Sequence, residues 1–282
     1  MYQIIDGKTV SAYVKQQVKD EVAKLSENGS VPALAVIIVG NDPASKVYVG
    51  NKKKACEMTG MKSVEYALSE NTSEKELLEL IDKLNNDKEI NGILCQLPLP
   101  KHINEDKIID AIAPEKDVDG FSAVNVGKIW LGKYEISPCT PMGVIELLDY
   151  YKIPLEGKNC VIVGRSNIVG KPMAALLLER NATVTVCHSR TKDLASFTKN
   201  ADVIVAAVGR ANFITADMVK EGAVVVDVGI NRLDNGKLCG DVDFENVKEK
   251  ASFITPVPGG CGPMTIAVLM KNTLVAYKNQ NK

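Results

Sequence analysis

The sequence predicts an α/β protein built on mostly parallel sheets and divided into two domains, and three observations lead there. Apolar segments alternate with amphipathic ones from one end to the other, the order in which βα units follow each other. The 282 residues suit two ordinary domains. The stretch "NCVIVGRSNIVGKPMAALLLERNATVTVCHSRT", Asn159 to Thr191, holds a strand, a glycine turn, a helix and a second strand. A βαβ dinucleotide unit occupies about the same length, roughly 30 residues.

The elements follow in order. "ALAVIIVG" from Ala33 reads as a buried strand. In "NDPAS", Asn41 or Asp42 can cap a helix whose first turn suits Pro43. At roughly 100° per residue, Tyr48, Lys52, Ala55, Cys56 and Thr59 share one arc of that helix, with Ser45 alongside, while Lys53 and Lys54 point elsewhere. "KSVEYALS" gives a half-buried strand, and "SEKELLELIDKLNND" a long helix with Leu77, Leu78, Leu80, Ile81 and Leu84 on its apolar side. "INGILCQLPLP" ends an apolar strand in Gln96 and two prolines, so the chain turns where ligands of open α/β sheets sit. In "SPCTPMGVIELLDYY", Thr140 can cap and Pro141 can start a helix. The domain boundary is placed near Cys139 to Thr140.

In the second half, the spacing of Gly164 and Gly170 is not a full G-x-G-x-x-G, and such a turn also occurs without any nucleotide. The amides of Val169, Gly170 and Lys171 are expected to face a pyrophosphate at a helix N-terminus. After the second strand, where an NAD site usually carries an acid, stand Cys187, His188, Ser189, Arg190 and Thr191. Arg165 and Ser189 suit a 2′-phosphate, which favours NADP over NAD; the plain alternative is that Ser189 and Arg190 begin a surface loop. "ADVIVAAVG" and "AVVVDVGI" add strands of a doubly wound sheet whose ends line a crevice.

Composition narrows the function classes. With 45% hydrophobic and 24% charged residues, the chain is globular rather than disordered. Its 34 basic and 35 acidic residues nearly cancel, giving no electrostatic reason to expect nucleic acid or a membrane surface. The start lacks the layout of a signal peptide and no apolar run is long enough to cross a bilayer, so the expected location is cytoplasmic. Seven cysteines without a C-x-x-C pair read as reduced thiols, with neither a disulfide framework nor a metal site. Two histidines, His102 and His188, offer no local hydrolase signature.

Two stretches carry a family resemblance. "GILCQLPLP" (92–100) and "TPVPGGCGPMTIAVL" (255–269) closely resemble the two signatures of the bifunctional methylenetetrahydrofolate dehydrogenase/methenyltetrahydrofolate cyclohydrolase family. "DPASKVYVGNKKKAC", "PEKDVDGFSAVNVG", "PCTPMGVIELL", "VIVGRSNIVGKP" and "VVDVGINR" are similar to it too, in the family's order and across essentially the whole chain. One departure is Cys261, where the family usually has valine; cysteine is small and apolar enough to pack similarly.

The resemblance implies two domains flanking a cleft, the second a Rossmann-type doubly wound sheet, and a homodimer. Residues 1–139, completed by a returning C-terminal helix at 264–282, would bind folate, and 140–263 would bind NADP. It implies oxidation of 5,10-methylenetetrahydrofolate to the methenyl form with NADP, then hydrolysis to 10-formyltetrahydrofolate, in one-carbon metabolism and purine biosynthesis. By resemblance, Lys52 is the proton-transfer group, Gln96 hydrogen-bonds and tunes it, Tyr48 stacks on the aminobenzoyl ring, and Asp119 holds the pterin. Ser45 lies beside them, and Pro258 and Thr265 shape the cleft wall. Gly164, Arg165, Ser166, Val169, Gly170, Ser189 and Ile230 are the expected cofactor contacts. Asp117 is either a second site acid or structural, and Cys139 is a redox-sensitive thiol or, by preference, a plain boundary residue. The alternatives are a dehydrogenase without cyclohydrolase activity, a related two-domain dehydrogenase of shikimate-like or amino-acid substrates, and a non-catalytic NADP-binding protein.

Overall fold

The computed structural model describes residues 2–27 and 29–282, with Ala44 described by its backbone. The chain begins β1 (Gln3–Ile4), α1 (Gly7–Ser26), β2 (Ala33–Val39), α2 (Pro43–Thr59), β3 (Lys62–Leu68), α3 (Glu74–Asn86) and β4 (Gly92–Cys95). It continues with α4 (Glu105–Ala111), α5 (Ala123–Trp130), α6 (Cys139–Tyr150), β5 (Asn159–Val163), α7 (Gly170–Glu179) and β6 (Thr183–Cys187). Then come α8 (Leu194–Thr198), β7 (Val203–Ala206), β8 (Val224–Asp227), β9 (Asn231–Arg232), β10 (Leu238–Cys239), α9 (Phe244–Val247), β11 (Phe253–Ile254) and α10 (Cys261–Gln280). Contacts group them into two units: Ala12–Cys139 with Ile266–Lys282, and Met1–Ser11 with Thr140–Thr265.

The unit holding Ala12–Cys139 is built on a three-stranded parallel sheet in the order β3, β2, β4. The all-apolar β2 is central and every residue of it is buried, whereas the edge strand β3 is only half covered. Leu77, Ile81 and Leu84 of α3 pack on the sheet residues Ala35, Ile37 and Ile93. A capping box of Ser73 and Glu76 starts α3 by satisfying otherwise unpaired backbone donors. For α2, Asp42 rather than Asn41 is the cap, accepting from Ser45 N at 2.7 Å, and Pro43 occupies the first turn. The end of α10 is tied down in this unit: Gln280 Nε2 donates to Asn91 O and Glu115 O, and Lys278 pairs with Glu21 at 2.6 Å.

The other unit carries a six-stranded sheet in the order β1, β11, β8, β7, β5, β6, parallel throughout. Two expectations are corrected here. Residues 2–11, read as part of the first domain, belong to this unit, because β1 pairs with β11 and Asp6 N donates to Tyr151 Oη at 2.9 Å. A two-residue edge strand has no hydrophobic pattern of its own, so only its partner assigns it. Thr140 does not cap α6, which begins at Cys139; its hydroxyl instead meets Thr265 Oγ1 at 3.0 Å. All seven cysteines are free thiols, and the described residues contain no cluster of potential metal ligands.

Candidate active site

Lys52 sits on the inner arc of α2. Ser45, Val49, Lys52, Ala55, Cys56 and Thr59 are all buried, Lys52 with 8% of its surface exposed, while Lys53 and Lys54 are in solvent. Its Nζ donates to Gln96 Oε1 at 2.9 Å. Gln96 is the first residue after β4: its backbone N donates to Ile37 O, and its Nε2 to Leu97 O at 2.6 Å, so both ends of the amide are assigned. Burial pushes the Lys52 amine below the ordinary lysine range, opposed by the charge of Asp119 and, more weakly, by Cys139 and Cys95. Tyr48 shares the helix but is 44% exposed, so its ring presents a free face.

Asp119 stands in the turn that follows a backbone bridge between Ile93 and Asp117, which sets the turn beside β4. Burial pushes its carboxyl up to about 6, against the Lys52 ammonium, with Asp117 adding to the rise. Asp117 itself is structural. Its carboxylate accepts from the backbone N of Gly120, Phe121 and Ser122 and from Asn125 Nδ2, which folds the turn around it. A residue missed in the sequence closes the turn: Asn272 of α10 donates from Nδ2 to Val118 O and Ser137 O, both at 2.9 Å. The signal available was an asparagine between the apolar runs of the last helix. Cys139 Sγ donates to Val118 O, and burial raises this thiol well above its usual range, which supports the plain reading over a redox role.

In the other unit, Gly164, Arg165, Ser166 and Ser189 line one hollow of about 300 Å³ at the ends of β5 and β6. Gly164 has φ of +138°, and a Cβ on it would meet Ala207 O at 2.2 Å. One on Gly170 would lie 2.2 Å from Gly164 O, so helix and turn approach as closely as dinucleotide folds require. The amides of Val169 and Gly170, expected to face an anion, donate instead to Ser166 Oγ, and Lys171 N donates to Ser166 O. A serine within reach of a helix start satisfies those donors itself. His188, which follows the second strand, also lines the hollow, as do Arg210 and Phe213, which the sequence did not single out. Ile230 and Pro258 lie apart from it, lining a second hollow of about 190 Å³ with Lys8 and Asp227. Thr265 is half-buried and engaged with Thr140 rather than among those lining residues.

Two family models match this chain. That of the tetrahydrofolate dehydrogenase/cyclohydrolase catalytic domain covers residues 5–119, and that of its NAD(P)-binding domain covers residues 138–281. The chain belongs to the tetrahydrofolate dehydrogenase/cyclohydrolase family. It is therefore an enzyme that joins a dehydrogenase and a cyclohydrolase in one chain. The "Bifunctional protein FolD" of Campylobacter hominis is 61% identical over 280 residues, 99% of each chain. Among solved members of this family, the bifunctional FolD enzyme of Campylobacter jejuni superposes with a TM-score of 0.97 at 54% identity, over 99% of both chains. The Trypanosoma brucei methylenetetrahydrofolate dehydrogenase-cyclohydrolase, solved with NADP and an inhibitor, gives 0.95 at 36% identity, covering 100% of this chain and 99% of its own.

Proposed function

We propose that this member of the family oxidises 5,10-methylenetetrahydrofolate with NADP and hydrolyses the product through Lys52. The observation that carries the reading is the buried Lys52 amine, 2.9 Å from Gln96 Oε1 and within the field of Asp119. The unit containing Ala12–Cys139 is read as the folate side, and the six-stranded unit as the dinucleotide side, held by Arg165, Ser166 and Ser189 around the Gly164–Gly170 turn. The close backbone approach at Gly164 and Gly170 is that of a dinucleotide-binding turn, so these residues fit the cofactor. NADP, when bound, supplies the hydride acceptor.

Hydrolysis needs proton transfer. Water adds its oxygen to the cationic methenyl carbon while Lys52 Nζ, as the free amine, takes one of its protons. The carbon–nitrogen bond then breaks as the added hydroxyl becomes the formyl carbonyl, its proton passes to the departing nitrogen, and Lys52 releases the first proton to solvent. Burial disfavours the ammonium form, and a cationic substrate disfavours it further. Gln96 Oε1 accepts one N–H of the amine and so orients its lone pair. Asp119 holds the pterin through its amine and ring nitrogen, which draws the carboxylate away from Lys52. Tyr48 offers its exposed ring to the aminobenzoyl group, with Ser45 beside it, while Pro258 and Ile230 line the second hollow and Thr265 supports it through Thr140.

The test is a spectrophotometric assay that follows methenyl-folate and NADPH with both cofactors. Lys52→Met is expected to lower hydrolysis by about 10²-fold or more while dehydrogenase turnover persists in part. Hydrolysis at the wild-type rate would remove Lys52 from its role. No helix among the described residues is long and apolar enough to cross a membrane. A cytoplasmic location, a homodimer and a part in purine biosynthesis belong to the same proposal and rest on the family resemblance; sedimentation at micromolar concentration tests the dimer.

A further inference from the structure

The hollow beside Arg165 has a second guanidinium. Its far wall is the segment after β7, where Val208, Arg210 and Phe213 face the same space as Arg165 and Ser189. Three consecutive amides of that segment converge on one carboxylate: Val208 N and Gly209 N donate to Asp241 Oδ2 at 2.6 and 2.9 Å, and Arg210 N to Oδ1 at 2.9 Å. Asp241 is completely buried, and Asn231 Nδ2 donates to its Oδ1 as well. Gly229 backs directly onto this carboxylate, since a Cβ there would lie 2.2 Å from Asp241 Cγ. The segment is thus pinned at its backbone, while the Arg210 guanidinium lies over the Phe213 ring, 4.8 Å from its centroid.

Stacking uses the flat face of a guanidinium and leaves its in-plane N–H donors for an anion. Those donors join the ones that Arg165 and Ser189 bring to the same hollow. We propose that Arg210 is a second cation for the 2′-phosphate of the dinucleotide, and that Asp241 is the positioning residue that holds it toward the hollow. This rests on reading the Arg165 hollow as the phosphate site.

The test measures binding rather than turnover, by titration calorimetry of the full chain with adenosine 2′,5′-bisphosphate and with 5′-AMP, which lacks the 2′-phosphate. Arg210→Gln is expected to weaken the bisphosphate about tenfold, as loss of one charge-assisted contact does, and to change 5′-AMP by less than about twofold. Asp241→Asn keeps the size of the side chain but loses an acceptor, and is expected to reproduce that selective loss. Equal weakening of both ligands by Arg210→Gln, or no change in either, overturns the proposal. An unchanged bisphosphate affinity in Asp241→Asn overturns the positioning role. Arg210 is exposed, so its replacement leaves the core untouched and still tests the cation role where Asp241→Asn fails to fold. Arg165→Ala separates the two readings: selective loss there with none in Arg210→Gln sinks this proposal alone, whereas no loss in Arg165→Ala sinks the phosphate site and this proposal with it.

Discussion

A lysine that leaves water must find a counter-charge or give up its proton, and Lys52 has both options within reach. Burial pulls its pKa down and Asp119 pulls it back, so one neighbouring charge decides how much free amine is present. Gln96→Glu would put a carboxylate where Oε1 now accepts from Nζ. The Lys52 pKa then rises, the amine fraction at neutral pH falls, and the rising limb of the hydrolysis pH profile moves to higher pH. A limb that stays in place would show that Lys52 is not the titrating base. At the other site, Arg165→Ala is expected to raise the KM for NADP far more than that for NAD, and equal effects in steady-state kinetics would defeat the phosphate assignment. Helical geometry alone separated Lys52 from Lys53 and Lys54, because the arc it shares with Ala55, Cys56 and Thr59 is readable at 100° per residue. Asp117 was not readable in the same way. An acidic turn looks alike whether its carboxylate meets a ligand or, as here, four N–H donors of its own loop.

Elements carry these residues to their places, and the last helix has an unexpected share in that. Asn272 of α10 donates to Val118 O and Ser137 O, partners 154 and 135 residues away, on either side of Asp119 in sequence. Asn272→Ala would leave both buried carbonyls without this donor, at a cost of about 1–3 kcal/mol. The expected outcome is a lower thermal midpoint together with a higher KM for the folate, since the Asp119 turn loses its brace. An unchanged folate KM in a destabilised variant would confine Asn272 to packing. The strands β2 and β3 and the helix α3 were legible, because burial on two faces, one face or one stripe each leaves its own spacing of apolar residues. Thr140 was misread for a related reason. A threonine followed by proline has the local chemistry of a helix start, but its hydroxyl meets Thr265, far along the chain.

At the scale of the whole molecule, a buried carboxyl in the six-stranded unit contributes to the response of stability to pH. Burial pushes the carboxyl of Asp227 up to about 6, while the amides of Gly229, Asp241 and Val242 donate to it. A carboxyl whose folded pKa lies above its unfolded value binds its proton more tightly in the folded state. Its contribution is therefore full below about pH 4 and lost as pH rises through about 6. Asp227→Asn removes that slope, at most about 3 kcal/mol. Urea midpoints between pH 4 and 7 should show the difference between wild type and variant changing across that window, and a constant difference would contradict it.

Local sequence determined the alternation of strands and helices, the Gly164 turn and the buried face of α2, because each depends on neighbours within a turn or a strand length. Tertiary structure alone decided that β1 joins the six-stranded sheet, that Asn272 braces the Asp119 turn and that Asp241 pins the segment carrying Arg210. Those choices rest on hydrogen bonds between residues distant along the chain. Backbone donors and acceptors are the same at every residue, so no local pattern announces which of them will meet.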